Sequence, residues 1–394
     1  MRRFLLYFRD AVRRVDKVLL LLCAVTTAFG TLLIASATNA SAAGSMHYVL
    51  RQLGAAAIGI FLFIIISSVN TDFFSEHRRT LVIFNTLLLL MIIPFGTDNG
   101  TGNKSWLNFP FLPIDIQPAE ICKIAFVLIL ASVMASHQNR PSAFKSVMHA
   151  AAHLIFLFIL NMIVSQDAGV SLIFVFIFIG MAFAGGVSIL WFAGGAGLLA
   201  AAFPVIWSNL SAYQQNRIEV LFNPDLDPLG IGARYHTVRS LRSLTGGGLT
   251  GQGLFNGTRT QTRGALFAQH TDYIFSAIGE ELGYVGCAAV MLLLIAIIAR
   301  CIWVGNRSQD YMRKLVCFGC AAAMIFQVLS NVGMCIGVTP VIGLTLPFIS
   351  YGGSSIVSLY AMMGLVSGVF ARPSATSHER YIRAPLKYSE RNHL

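Results

Sequence analysis

Apolar residues run through this chain in long unbroken blocks, separated by short polar breaks. A membrane helix needs about 20 apolar residues to cross roughly 30 Å of hydrocarbon. Blocks of that kind lie at residues 18–37, 49–69, 80–96, 117–136, 147–165, 168–186, 188–208, 273–299, 315–338 and 350–371. Their continuity predicts helices, because barrel strands alternate polar and apolar positions over about ten residues. The pattern therefore predicts an all-α polytopic membrane protein of about ten transmembrane helices, built as one domain over residues 1–394. Within it we expect a membrane core at 17–372, a large extracellular loop at 209–272 between helices 7 and 8, and a cytoplasmic tail at 373–394. No fixed-period repeat is visible.

Composition supports this reading. Hydrophobic residues make up 56% and charged residues 11% of the chain, and mean hydropathy is +0.69, whereas a soluble domain carries about 25% charged residues. Of the 28 Lys and Arg, nineteen fall on the side of the termini, seven on the other, and Arg51 and Lys123 lie inside blocks. The positive-inside rule then places both termini in the cytoplasm. The net charge of +11 is accounted for by this bias and by attraction to anionic lipid headgroups, so it implies membrane lipids and no nucleic acid as partners. The first block follows a basic start and precedes Ala40-Ser41-Ala42. It exceeds the 7–15 residues of a cleaved signal core and reads as a retained span.

Cysteine and histidine contribute little chemistry. Cys317 and Cys320 have a Cys-x-x-Cys spacing but sit in an apolar block with no second ligand pair, where packing is the expected role. His149 and His153 share a helical face without a third ligand in reach, so no metal site is read from the sequence.

The chemistry gathers elsewhere. Residues 98–116 and 209–272 are the two long external segments, and the second is too long for a structureless loop. It carries Arg217, Arg234, Arg239, Arg242, Arg259 and Arg263 on the side the charge bias disfavours. Arginine forks suit phosphate, and Arg217 is the favoured contact. Pro118 fits the first turn of a helix, and Glu120 and Lys123 are spaced to pair on one face. That pair either neutralises itself against a neighbouring helix or lines a polar cavity. The run His270-Thr271-Asp272, followed by Glu280 and Glu281, sets three carboxylates at the mouth of a span, where charge is costly and marks a functional site. Pro340, Pro347, Gly352 and Gly353 predict irregular, re-entrant backbone over residues 338–355.

These stretches, in this order, resemble the SEDS family (shape, elongation, division and sporulation), whose members include RodA and FtsW. The likeness covers nearly the whole chain: Trp106 to Lys123, Asp167-Ala168-Gly169, Arg217 to Gly253, His270 to Gly286, and Pro340 to Ser355, with Pro347-Phe348-Ile349-Ser350-Tyr351-Gly352-Gly353-Ser354-Ser355 the most specific. It implies a peptidoglycan glycosyltransferase of the bacterial plasma membrane that polymerises lipid-linked disaccharide-peptide (lipid II) at the outer face and releases undecaprenyl diphosphate. Asp272 matches the family's external aspartate and is implied to be catalytic. Arg217, Lys123, Glu120, Trp106, Lys104, His270, Thr271, Glu280, Glu281, Ser350, Tyr351, Gly352, Gly353 and Ser354 are implied substrate contacts.

Arg217, Lys123 or a divalent ion such as Mg²⁺ or Mn²⁺ would balance the leaving diphosphate. A class B penicillin-binding protein would supply the transpeptidase. The chain departs from the pattern at Leu266-Phe267-Ala268, where many members have Leu-Pro-Glu, and at Ser105, where an Arg is usual and Lys104 stands one residue earlier. Two other classes fit the residues: a lipid flippase, which would depend on Glu120, Lys123, Glu280 and Glu281 within spans, and a non-catalytic scaffold for cell-wall synthases.

Overall fold

The computed structural model describes residues 12–40, 44–98, 104–109 and 115–372; the tail expected over 373–394 lies outside them. The helices are α1 (Lys17–Ala37), α2 (Ser45–Ser68), α3 (Thr71–Glu76), α4 (Arg78–Leu90), α5 (Ile92–Phe95), α6 (Pro118–Ser136) and α7 (Phe144–Val164). There follow α8 (Ala168–Ala184), α9 (Ile189–Asn209), α10 (Ala212–Phe222), α11 (Tyr235–Gly246), α12 (Ile274–Arg307), α13 (Tyr311–Cys335) and α14 (Gly353–Phe370). Among the described residues nine helical stretches are long and apolar enough to cross a membrane, α4 and α5 counting together as Arg78–Phe95. The remaining expected span is α8, whose 17 residues reach about 25 Å at 1.5 Å per residue.

Helices α6, α13 and α14 form the buried centre, and α9 lies apart with no buried residue. Helix α14 approaches α2 closely because glycine stands at the crossing. A Cβ at Gly59 would come within 2.6 Å of the Tyr360 ring, and one at Gly364 within 2.9 Å of the Phe63 carbonyl oxygen. Without a hydrophobic force between helices in lipid, such small-residue contacts supply the packing. At one end, the Asp16 carboxylate caps α1 through Val18 N and Leu19 N and accepts a two-pronged ion pair from Arg300 at 2.9 and 3.0 Å.

The segment expected as one continuous span over 273–299 is instead broken. Helix α12 bends at Gly283, whose φ of 65° and ψ of −163° are open to glycine and poorly tolerated by other residues. The long loop before α12 threads this break. Gln252 N and Gly253 N donate to the Glu280 and Glu281 carbonyls at 3.0 and 2.9 Å, while Tyr284 N and Val285 N donate to Gly248 O and Leu249 O at 3.0 and 3.2 Å. Backbone groups freed by the break thus find partners in the loop, which irregular chain at membrane depth requires.

The two carboxylates complete the clasp. Glu280 accepts from Arg259 N at 2.7 Å and Thr260 N at 3.3 Å. Glu281 accepts from the Ser36 hydroxyl at 2.5 Å, Gln261 Nε2 at 3.0 Å and Phe255 N at 3.3 Å. Both side chains are buried. Their oxygens are thus engaged by the loop and by Ser36 of α1.

The loop itself is structured, as its length demanded. Helix α10 starts in a reciprocal capping box between Ser211 and Gln214, and α11 buries Ser240, whose hydroxyl donates to Cys335 O at 2.7 Å.

Removing the Glu281 carboxylate strands several buried donors, so Glu281→Ala should cost about 2 kcal/mol or more of stability and open residues 250–265 to protease. Thermal unfolding and mapped limited proteolysis would show this; a wild-type transition with an uncut loop would contradict the clasp.

Candidate active site

Three pieces of irregular backbone meet beneath the long loop that precedes α12. The first is the turn His270–Tyr273 that leads into α12, and the second is the hairpin between α13 and α14. The third is the short connection from α7 to α8. The hairpin is built by sequence: Gly337 and Gly343 adopt positive φ, 76° and 75°, and the Ser350 hydroxyl accepts from Leu346 N at 2.8 Å while donating to Thr271 O at 2.6 Å. Tyr351 N donates to His270 O at 2.8 Å. The Asn331 carboxamide then bridges turn and hairpin, donating to Asp272 O at 2.8 Å and Leu344 O at 2.7 Å.

Asp272 is thereby held by its backbone, which leaves its carboxylate directed at the hairpin turn. A Cβ at Gly343 would lie 3.6 Å from Oδ2, so a larger residue there would crowd the group. Surrounding protein strips water from the carboxylate and pushes its pKa up to about 6; a hydrogen bond from Thr271 opposes this, and the charge of Asp167 adds to it. An Asp with pKa raised above its unfolded value near 3.9 binds its proton more tightly when folded. Its contribution to stability is therefore lost as pH rises from about 4 through 6. The fold carries this cost at neutral pH, where the group is ionised.

Asp167 is the functional candidate that sequence reasoning left without a role. It caps α8 by accepting from Val170 N at 3.1 Å, and its other oxygen accepts from Gln117 Nε2 at 3.0 Å. Burial, with the charge of Glu120 adding to it, raises its pKa against the hydrogen bonds from the α8 amides. Its signal was legible in outline: an acid directly before Ala168-Gly169, between two apolar blocks.

Below Gln117 lies a buried polar chain. Lys123 Nζ pairs with Glu120 Oε1 at 2.8 Å, and the single Ser358 hydroxyl proton has two acceptors in reach, Glu120 Oε2 at 2.5 Å and Ser355 O at 2.8 Å. The Ser354 hydroxyl accepts from Gln117 N at 3.1 Å. Gly352 and Gly353 open α14 here. The pair thus both neutralises itself and borders the chain of hydroxyls.

Around the mouth, His270, Tyr48 and Tyr351 cluster with ring centroids 5.0 to 5.7 Å apart, and burial lowers the His270 pKa. Gln52 ties this wall together through Ser350 O and Gly352 N. Arg217 donates to Val341 O at 3.2 Å, which fixes it to the hairpin that faces Asp272. Trp106 sits in the two-residue strand β2 (Trp106–Leu107), antiparallel to β1 (Gly96–Thr97). Ser105 ties that strand to Ser165, two residues before Asp167, through its hydroxyl at 3.0 Å. Lys104 is exposed at its edge. The structure thus brings Asp272, Thr271, Arg217 and Ser350 to one hairpin and Glu120, Lys123 and Ser354 to the floor; Glu280 and Glu281 stand apart. Among the described residues no group of three or more His, Cys, Asp or Glu is arranged to hold a metal ion.

A multi-pass, all-α membrane protein with a buried carboxylate held among three irregular turns is a narrow structural class. The model of the cell cycle protein family that groups FtsW, RodA and SpoVE matches residues 16–374. The chain is 32% identical over 367 residues to the peptidoglycan glycosyltransferase MrdB of Escherichia coli K12, covering 92% of this chain and 95% of that protein. It is 31% identical to the probable peptidoglycan glycosyltransferase FtsW of Trichlorobacter lovleyi, over 88% and 91% of the two chains. A chain solved in work on the structural coordination of polymerization and crosslinking by a peptidoglycan synthase complex superposes with a TM-score of 0.73 at 28% identity, covering 90% of this chain and 97% of that one. A mutant of the rod shape determining protein RodA of Thermus thermophilus gives 0.66 at 26% identity, with the same shares covered. The chain belongs to the FtsW, RodA and SpoVE family, which makes it a multi-pass bacterial membrane protein.

Breaking a buried ion pair on one side leaves an uncompensated charge and costs more than removing both partners. Lys123→Met should therefore destabilise by about 3–5 kcal/mol, and adding Glu120→Met should restore part of that loss. Equal, additive losses in thermal unfolding of the three variants would show that the two groups act separately.

Proposed function

We propose that this chain is a peptidoglycan glycosyltransferase that polymerises lipid-linked disaccharide-peptide at the outer face of the bacterial plasma membrane, with Asp272 as its general base. The observation that carries this reading is the Asp272 carboxylate itself, buried beside the hairpin on a fixed backbone with a pKa of about 6. A base whose pKa lies near the working pH combines availability with driving force, and such proton transfer contributes about 10²- to 10⁴-fold.

In the proposed step, a sugar hydroxyl of one substrate attacks the anomeric carbon of the other. The new carbon–oxygen bond forms as the bond to the diphosphate breaks, and Asp272 takes the hydroxyl proton. Undecaprenyl diphosphate leaves with the electron pair. One displacement inverts the anomeric centre, so no second nucleophilic carboxylate is needed. Charge growing on the diphosphate requires a fixed cation. Arg217, which donates to Val341 O of the hairpin that the Asp272 carboxylate faces, is the cation we favour for this role.

The resemblance to a chain from a peptidoglycan synthase complex supports a cross-linking partner, for which a class B penicillin-binding protein is the expected kind. The charge bias supports an external position for the loop and site.

Asp272→Asn keeps the shape and removes the base. Purified protein carrying it should form glycan strands from fluorescent lipid-linked precursor at least about 100-fold more slowly, with thermal stability at pH 7 equal to or above wild type. Near-normal polymerisation would sink the assignment, and lost lipid translocation with intact polymerisation would identify a flippase.

A further inference from the structure

Two turns far apart in sequence, one carrying Asp167 and the other Asp272, meet the same three hairpin residues. Gly343 faces Asp272, whose Oδ2 would lie 3.6 Å from an added Cβ. Its two neighbours face the start of α8: a Cβ at Gly169 would lie 2.8 Å from Ile342 Cγ2, 3.1 Å from Ile342 O and 3.1 Å from Leu344 Cδ2. Consecutive Cα atoms are 3.8 Å apart, so both turns press on a stretch of chain about 7 Å long.

Glycine at 169 is what permits this approach. Any side chain there would push against backbone and against a β-branched residue with little rotamer freedom. The electrostatic result is felt at Asp272, where the charge of Asp167 adds to burial in favouring the proton.

The Asp167 turn is also braced from behind. Gln166, the residue before it, has a φ of 53°, a left-handed conformation that persists in a residue with a side chain only where its surroundings over-determine it. Asn161, on the last turn of α7, supplies the brace: its Nδ2 donates to Asp167 O at 3.2 Å and to Ser171 Oγ at 2.8 Å. The Ser171 hydroxyl in turn donates to Asp167 O at 2.8 Å. Asn161 is fully buried, and a carboxamide is costly there unless hydrogen-bonded. Both of its donors are spent on this turn, as both of those of Asn331 are spent on Asp272 O and Leu344 O.

We propose that Asn161 and Gly169 are positioning residues for the reaction proposed above: Asn161 fixes the main chain of Asp167, Gly169 lets its turn close on the hairpin, and together they hold a second negative charge at a set distance from Asp272. This rests on the reading of Asp272 as the base and names the residues that set its strength. The other ionisable groups around Asp272 sit on different elements. His270 belongs to its own turn, Cys335 Sγ of α13 lies 3.7 Å from Asp272 O, Arg217 reaches the hairpin at Val341 O, and His236 of α11 lies beside Tyr273. Glu120 and Lys123 act on Asp167.

The test compares the purified full chain with Asn161→Leu, Gly169→Ala and Gly180→Ala. Leucine is close to asparagine in size and suits a membrane helix, and Asp167 O keeps its bond from Ser171. Gly180 lies in α8 away from the turn, where a Cβ would come within 2.5 Å of Ala322 Cβ, so its variant disturbs packing alone. The first readout is the pH dependence of kcat/KM for polymer formation. Asn161→Leu and Gly169→Ala should each move the acidic limb to lower pH by about half a unit or more, with KM within about twofold of wild type, while Gly180→Ala leaves the limb in place.

The second readout needs no activity: thermal unfolding against pH, each protein beside its own Asp272→Asn counterpart. The stability that wild type loses relative to Asp272→Asn as pH rises from about 4 to 6 should be smaller, and lost at lower pH, in Asn161→Leu and Gly169→Ala. Unchanged limbs in both readouts, or an equal shift in Gly180→Ala, would overturn the proposal. A shift in unfolding without one in activity would uphold the positioning and overturn the base reading instead.

Discussion

Irregular backbone inside a bilayer must find every hydrogen bond within the protein, because lipid offers none. Two such segments among the described residues frame the site, the break in α12 at Gly283 and the hairpin between α13 and α14, and each is satisfied by a partner segment. The long loop before α12 clasps the first through Glu280, Glu281 and the 248–253 backbone. The turn at 270–272 pairs with the second, and the fully buried Asn331 carboxamide joins them by donating to both Asp272 O and Leu344 O. With its main chain fixed this way, Asp272 holds its place without an ion pair to any of the described residues.

That arrangement has a thermodynamic cost with a functional use. An ion pair with Lys123 would hold a carboxylate low in pKa and poor as a base, and in this molecule Lys123 is matched to Glu120 instead, with Ser358 on the other oxygen. Asp272 faces a glycine turn and a second carboxylate, Asp167, and both burial and that charge favour the proton. Strained or destabilised groups of this kind collect at sites where they serve the chemistry.

Much of the fold was legible because a membrane span is a length and composition problem. Residues 18–37 and 117–136 fall almost on α1 and α6, and every expected span is helical, although α8 is shorter than the others. The break in α12 was not legible: a glycine between apolar residues looks the same whether a helix continues or yields to a loop folded in from thirty residues away. The same long-range pairing explains Glu280 and Glu281, whose acidity pointed to function while their partners, Arg259, Thr260, Gln261 and Ser36, could not be assigned from spacing. Asp272, Glu120 and Lys123 were legible because charge at membrane depth is rare enough to draw notice by itself. Asp167 escaped because an acid between two spans also reads as an ordinary helix cap, a task it does perform for Val170.

The central claim is that one dehydrated carboxylate, Asp272, removes the proton in glycan polymerisation. The most direct measurement is the pH dependence of kcat/KM for polymer formation by the purified protein from pH 4.5 to 8. The account predicts an acidic limb with an apparent pKa near 6, activity falling about tenfold per pH unit below it, and loss of that limb from the residual activity of Asp272→Asn. A flat profile across this range, or an acidic limb that persists unchanged in the Asn variant, would contradict it.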